Sequence, residues 1–360
     1  CRGTPPTDEG GARTMRDFAR RVAQTWSVHA GKHPHNRMRF WAISLGIPDA
    51  RHDVGQLNMT VGDHLRLPTR PAAQGGPRPC CEMPTDAVAI LGVDFSSAPS
   101  RKKPITLARA RLLSPTRLRI EALEAIGSLP EFAQLLARPG PWLGGFDFPF
   151  GLPRELVLDV GWPTDWPALV RAFSGTPRPQ LRETLRAFCA ARPPGGKFAH
   201  RATDRPAGSS PSMKWVNPPV AWMFHAGAPA LLEAGVELPG LHAGDPSRVA
   251  LEAYPGLLAR ALHRGSYKSD DAARQDAARL AARRAMVGAL SAGAHPLAIK
   301  VDFAGGVRHQ IEDEPRGDWL DAVLCAVQAG WALSQGPRYG LPEQIDGLEG
   351  WIVSAPATTG

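Results

Sequence analysis

The sequence has no long hydrophobic run: nothing approaches the roughly 20 apolar residues of a membrane span, and no membrane partner is expected. No charged region followed by an apolar core opens the chain, so no secretory signal is expected either. Cysteine is scarce. Cys1, Cys80, Cys81, Cys189 and Cys325 show no framework spacing, and Cys80-Cys81 lacks the second pair of a zinc signature. The expectation is a reduced, cytoplasmic protein. His225, His242, His263 and His309 show no H-x-x-x-H or similar metal spacing. Ser209-Ser210 has no nucleophile-elbow context, no glycine-rich phosphate loop of Walker type is present, and no internal repeat is apparent.

What remains is an ordinary globular composition, 43% hydrophobic and 21% charged, over 360 residues. The formal charge of +8 invites a nucleic-acid reading, but it is unevenly spread. Residues 1–82 hold 12 Lys and Arg against 7 Asp and Glu, while the rest of the chain holds 30 against 27. Basicity therefore permits a phosphate-bearing partner without demanding one. Residues 1–82 are rich in Arg, Pro, Gly and His and carry no sustained hydrophobic period. They are expected to be a poorly ordered basic segment. One reading makes it translated leader upstream of a natural start at Met83; the other makes it a basic tail assisting nucleic-acid binding.

From Ala87 the pattern becomes regular. Strands are predicted over 87–94, 105–112, 117–123, 142–147 and 248–254, and helices over 130–137, 179–191, 219–234, 270–291 and 317–334. Ser114-Pro115-Thr116 makes a turn, and Pro130 suits a first helical turn. Strand, strand, strand, helix, strand places the first and fourth strands side by side and parallel. The expected architecture is α/β, a mixed five-stranded sheet flanked by helices over 83–356, with an inserted helical and loop region at about 151–248.

The chemistry is in the carboxylates. Asp94 ends Ala87-Val88-Ala89-Ile90-Leu91-Gly92-Val93-Asp94, and Asp147 ends Trp142-Leu143-Gly144-Gly145-Phe146-Asp147. If those strands are parallel neighbours, both side chains stand at one sheet edge, where ligands of open α/β sheets sit. Asp318 and Asp321, three apart, share one face of an otherwise apolar helix. Each has a plain structural reading as well: a strand-end turn for Asp94, an Asx-turn for Asp147, a helix cap for Asp318. Together, buried carboxylates repel and lose solvation unless a cation neutralises them. Oxygen ligands with few histidines point to Mg²⁺ or Mn²⁺ rather than Zn²⁺, and two such ions could activate water and stabilise a leaving oxygen.

Gly92-Val93-Asp94-Phe95-Ser96, Gly145-Phe146-Asp147-Phe148-Pro149-Phe150-Gly151-Leu152-Pro153, Glu252-Ala253-Tyr254-Pro255, Asp318-Trp319-Leu320-Asp321-Ala322 and Glu349-Gly350-Trp351-Ile352 resemble the motifs of the domain-of-unknown-function 429 family. That family is described as predicted nucleases with an RNase H-like fold. The resemblance covers about residues 87–355, and the Asp-x-x-Asp-Ala helix is also similar to the final acidic helix of Holliday-junction resolvases. It implies an RNase H-like domain and makes Glu252 a candidate fourth ligand or a structural carboxylate. Arg201 and Asp204 match a family-like Arg-x-Thr-Asp, so Arg201 contacts a substrate phosphate or braces its loop; Lys268 could neutralise a phosphate or be a solvated residue before a helix. Lys214 and Trp215 offer a base-stacking pair or a loop anchor.

The expected function is metal-dependent phosphodiester hydrolysis on a nucleic acid, DNA or RNA. Asp94 would bridge two ions, Asp147 and Asp321 would hold one each, and Glu252 or Asp318 would assist. The alternatives are nucleotide-dependent phosphoryl transfer on a related fold and a non-catalytic nucleic-acid- or protein-binding module.

Overall fold

The computed structural model describes residues 88–357. The expectation of a poorly ordered segment at 1–82 lies outside the described residues. Seven strands form one sheet: β1 (Ala89–Asp94), β2 (Ile105–Ser114), β3 (Arg117–Ile126), β4 (Trp142–Asp147), β5 (Val236–Glu237), β6 (Asp245–Glu252) and β7 (Lys300–Phe303), in the order β5-β6-β4-β1-β2-β3-β7. The expected sheet of five strands is thus corrected to seven. The two additions are edge strands of two and four residues; β5 is too short to display a period of two, and β7 shows it over only four residues.

The first three strands form an antiparallel meander. Helix α1 (Leu129–Leu136) then carries the chain back over the sheet. It starts with a variant of the capping box: the Ser128 hydroxyl accepts from the Glu131 N–H, and Glu131 reaches back one residue further than the cap, to the Gly127 N–H. Pro130 occupies a first-turn position that needs no N–H, and Phe132, Leu135 and Leu136 are buried. The crossover returns β4 parallel to β1, with Asp94 opposite Asp147. Strand β6 continues the parallel half beyond β4, and β7 lies parallel to β3.

Between β4 and β6 lie α2 (Arg154–Val160), α3 (Trp166–Gly175), α4 (Arg178–Ala190), the single turn α5 (Asp204–Ala207) and α6 (Val220–Ala234). After β6 come α7 (Pro255–Leu262), α8 (Ala277–Ala292), α9 (Val307–Asp313) and α10 (Asp318–Ser334). Helices α2, α3, α5, α7 and α9 were not foreseen, being ten residues or fewer. The helix expected from residue 270 begins at Ala277, because two aspartates interrupt it. Asp271 closes a separate 3₁₀ turn at Ala272–Arg274, and Asp276 then caps α8 by accepting from the Arg279 N–H.

The sheet buries both faces, and alternation along β1 assigns them. Leu91 and Val93 join Phe146, Phe132, Phe173 and Phe224 in the core beneath the inserted helices. Ile90 joins Leu143, Leu320, Val323 and Val327 in the core beneath α10. Gly92 and Asp94 share the second face with Ile90. Gly92 is opposite Gly145 on β4, and this pair of glycines seats α10. A Cβ on Gly92 would lie 2.0 Å from the Ala322 carbonyl oxygen and 2.3 Å from the Ala326 nitrogen; one on Gly145 would lie 2.6 Å from the Cys325 carbonyl oxygen. The helix backbone therefore rests directly on the two strands, one step before each ends in aspartate.

Gly92→Ala is expected to lift α10 from this seat. Overpacking of this kind costs about 1–3 kcal/mol or more, and in a chain this large each kcal/mol lowers the melting temperature by about 2–4 °C. Thermal denaturation that leaves the variant at the wild-type midpoint would contradict the seat.

Candidate active site

Helix α10 begins after Gly317, which takes a left-handed φ of +74°, and its first turn presents Asp318 and Asp321. Two contacts fix that turn. The Glu314 carboxylate accepts from the Asp318 N–H at 2.9 Å, and the Thr106 hydroxyl on β2 donates to the Asp318 carbonyl oxygen at 2.9 Å. Thr106 is itself the antiparallel partner of Asp94. The register of β1 with both neighbours thus brings Asp94, Asp147 and the first turn of α10 to one place. Asp321 is 1% exposed, Asp318 is buried, and Asp94 and Asp147 are half-buried.

Lys268 stands among them. Its ammonium pairs with one Asp321 oxygen, and the Tyr267 hydroxyl donates to the other. Burial opposes the charge on Lys268, but Asp321, Tyr267 and Asp94 hold its proton and raise its pKa. Burial and Asp321 push Tyr267 up as well, so it stays a neutral donor.

The carboxylates are held in the opposite sense from solvent-exposed ones. Burial first, then Asp321 and Asp147, push Asp94 well above its usual range, against the pull of Lys268. Burial and Asp321 raise Asp147 to about 8, again opposed by Lys268. Burial and Glu314 raise Asp318 to about 6, partly offset by Arg316. Such groups bind protons more tightly folded than unfolded, so they stabilise the fold least where they must ionise. For Asp147, the stability it contributes falls as pH rises from about 4 through about 8. Asp147→Asn removes that dependence. The variant is therefore expected to gain on wild type in melting temperature as pH goes from 5 to 8, by several degrees in metal-free buffer, at about 2–4 °C per kcal/mol. A difference that is constant or shrinks over that window would contradict the repulsion.

Arg201 and Glu252 lie beside this group and are engaged with each other. Arg201, 2% exposed, donates to both Glu252 oxygens at 2.6 and 2.7 Å, to Asp204 at 2.9 and 3.1 Å, and to the Glu349 carbonyl oxygen at 2.9 Å. Glu252 also accepts from the Phe150 N–H at 2.9 Å. Burial lowers the Arg201 pKa, but Asp204 and Glu252 outweigh it and raise the group overall. The network ties the loop after Asp147, the end of β6 and residues 349–352 together. Arg201 so placed braces its loop, and Glu252 has its oxygens committed. Trp215 is buried against Phe198, as a loop anchor would be.

An open cleft of about 320 Å³ lies over the acidic group. Asp94 and Asp318 face it from below, Lys103, Lys268 and Arg316 supply positive charge, and Met223 supplies an apolar wall. Lys103 pairs with Asp270 across exposed surface at 3.1 Å. Arg316 sits 3.0 Å from Glu314 and 3.4 Å from Asp318 Oδ2. The second contact is charge proximity without a hydrogen bond, and Asp318 Oδ2 is a buried oxygen with no hydrogen-bond partner.

Of the residues singled out from sequence, Asp94, Asp147, Asp318, Asp321 and Lys268 come together, while Arg201 and Glu252 form the adjoining brace. Tyr267, Arg316, Glu314 and Thr106 were missed. Glu314-Pro315-Arg316-Gly317 directly precedes the acidic helix, and its charges were a usable signal. Among the described residues no three His, Cys, Asp or Glu side chains form a ready-made metal cluster. The donor chemistry still suits one hard cation: oxygens only, mutually repelling, one of them unpartnered. Mg²⁺ commonly binds through one or two carboxylates with water and substrate phosphate completing its shell. Asp94 and Asp318 are the pair open to the cleft. No described helix is long and apolar enough to cross a membrane.

No curated protein and no solved structure matches the chain. A family model described as protein of unknown function (DUF429) matches residues 92–346.

Proposed function

The chain belongs to the DUF429 family, and we propose that it is a nuclease of RNase H-like fold that hydrolyses phosphodiester bonds with a divalent cation, Mg²⁺ or Mn²⁺. The observation that carries this reading is the meeting of Asp94, Asp147, Asp318 and Asp321 beneath a cleft rimmed by Lys103, Lys268 and Arg316. Carboxylates alone would repel a phosphate, and cations alone would bind it without activating water. The two together suit a phosphate approached from the basic rim and attacked over the acidic floor. The RNase H-like assignment is supported by the meander β1–β3, followed by parallel β4 and β6, with acidic ends on adjacent β1 and β4.

Asp94 and Asp318 would hold the cation, which would supply Lewis acidity at the phosphate. The chain's own residues do the rest. Lys268 and Arg316 orient and neutralise the incoming phosphate. Tyr267 holds Asp321 in place, and Asp321 holds the Lys268 ammonium near the cleft. The Arg201–Glu252 pair fixes the backbone after Asp147 through the Phe150 N–H.

The test is cleavage of a panel of single- and double-stranded DNA and RNA by the purified full chain, with Mg²⁺, Mn²⁺ or chelator. Cleavage that needs the ion is expected. Phosphate release or transfer from a nucleotide, with nucleic acid left intact, would favour a phosphotransferase. Ion-independent binding without cleavage would favour a binding module.

A further inference from the structure

We propose that Lys268 is a resident cation standing where a two-metal site would place its second ion, so that the chain binds one divalent ion and not two. The inference rests on the metal-dependent reading above and goes beyond it by assigning the second positive charge to the protein.

Three observations carry it. The first is occupancy. Asp321 is the most deeply buried of the four carboxylates, and both its oxygens are engaged, one by the Lys268 ammonium and one by the Tyr267 hydroxyl. An ion at Asp321 would have to compete with a bound ammonium and a hydrogen-bonded phenol for the two oxygens.

The second is that the lysine has a built seat. Its backbone is held on both sides: the Ser269 N–H donates to the Pro315 carbonyl oxygen at 3.1 Å, and buried Arg283 donates to the Tyr267 carbonyl oxygen at 2.9 Å and the Glu312 carbonyl oxygen at 2.8 Å. Its aliphatic stem crosses Gly317. A Cβ there would lie 2.8 Å from Lys268 Cβ and 2.9 Å from Cδ, so only glycine leaves the path open at the start of α10. A solvated lysine in a passing surface ion pair, which contributes little, has no use for such a seat. Lys268 is nonetheless 43% exposed and faces the cleft, so its remaining donors can reach a ligand.

The third is charge. Lys268 is the protein cation paired directly with Asp321, and Arg316 lies 3.4 Å from Asp318 Oδ2. A second divalent ion beside Asp321 would meet the Lys268 ammonium at close range, and like charges brought together in a buried site are costly. The two carboxylates open to the cleft, Asp94 and Asp318, suffice for one ion whose shell is completed by water and phosphate.

The test is equilibrium binding of Mn²⁺ alone to the full chain, read as ions bound per chain, in wild type, Lys268→Arg, Lys268→Met and Asp94→Asn. One ion is expected in wild type and Lys268→Arg, two in Lys268→Met, and none in Asp94→Asn. In metal-free buffer Lys268→Met should melt below wild type, and Mn²⁺ should raise its melting temperature more than it raises that of wild type. Two ions in wild type would overturn the lysine's role while leaving the metal site intact, and this needs no variant to fold. An unchanged count in folded Lys268→Met would do the same. Binding only in Lys268→Met would make the lysine a blocker of metal and overturn the proposal. No ion in any protein would remove the metal reading itself.

Discussion

Asp94→Asn is expected to abolish cleavage while leaving the protein folded. Asp94 lies opposite Asp147 in the parallel register, faces the cleft, and has Asp321 and Asp318 as electrostatic neighbours. Asparagine keeps the size and one oxygen but removes the charge that draws a cation. A metal contributes several kcal/mol of charge stabilisation to such a transition state. Losing about 4 kcal/mol would slow the reaction by roughly 10³-fold. Stability should hold or rise, because burial and repulsion already disfavour a charge at this position. Turnover and melting temperature measured on the same preparation separate the two effects. Activity retained within a few-fold would remove Asp94 from the chemistry. Activity lost together with the fold would make it structural.

Arg201→Met is expected to act in the opposite way, on stability before chemistry. It would leave Asp204, 0% exposed, and Glu252, 4% exposed, without their shared cation. Breaking a buried pair from one side costs about 3–5 kcal/mol, against a total stability of about 5–15 kcal/mol for a typical domain. A fall in melting temperature on the order of 10 °C follows at about 2–4 °C per kcal/mol. Adding Glu252→Gln should recover part of the loss, since it removes one of the two stranded charges. A single variant that melts with wild type, or a double variant that is worse by the sum of both changes, would contradict the network.

The site was legible where a pattern spans consecutive residues. The β1 and β4 runs each end in aspartate, and the Asp318/Asp321 pair sits at helical spacing, so chemistry and secondary structure could be read together. The crossover rule then placed the first two side by side, and the register confirms that placement. The seat for α10 was written in Gly92 and Gly145, but a glycine in a strand does not say which helix approaches it. Tyr267 and Lys268 were harder to weigh. Their partner Asp321 is more than 50 positions away, and the periodic helix between them, α8, reports its own buried face and not this contact. Arg201 and Asp204 look like a local i,i+3 pair, which they are. What the local pattern hides is Glu252, which turns a loop brace into a buried triad. Strand β5 escaped for a simpler reason, since two residues cannot show an alternation, while β7, Lys300-Val301-Asp302-Phe303, does alternate and was a usable signal.

The central claim is that the carboxylates at the ends of β1 and β4 and the start of α10 form a divalent-cation site. Diffraction from crystals of the full chain soaked in Mn²⁺, recorded at a wavelength where manganese scatters anomalously, tests it most directly. One anomalous peak is expected within coordination distance of Asp94 and Asp318, with Lys268 still paired to Asp321. No peak at Asp94, or manganese bound only elsewhere on the chain, would contradict it.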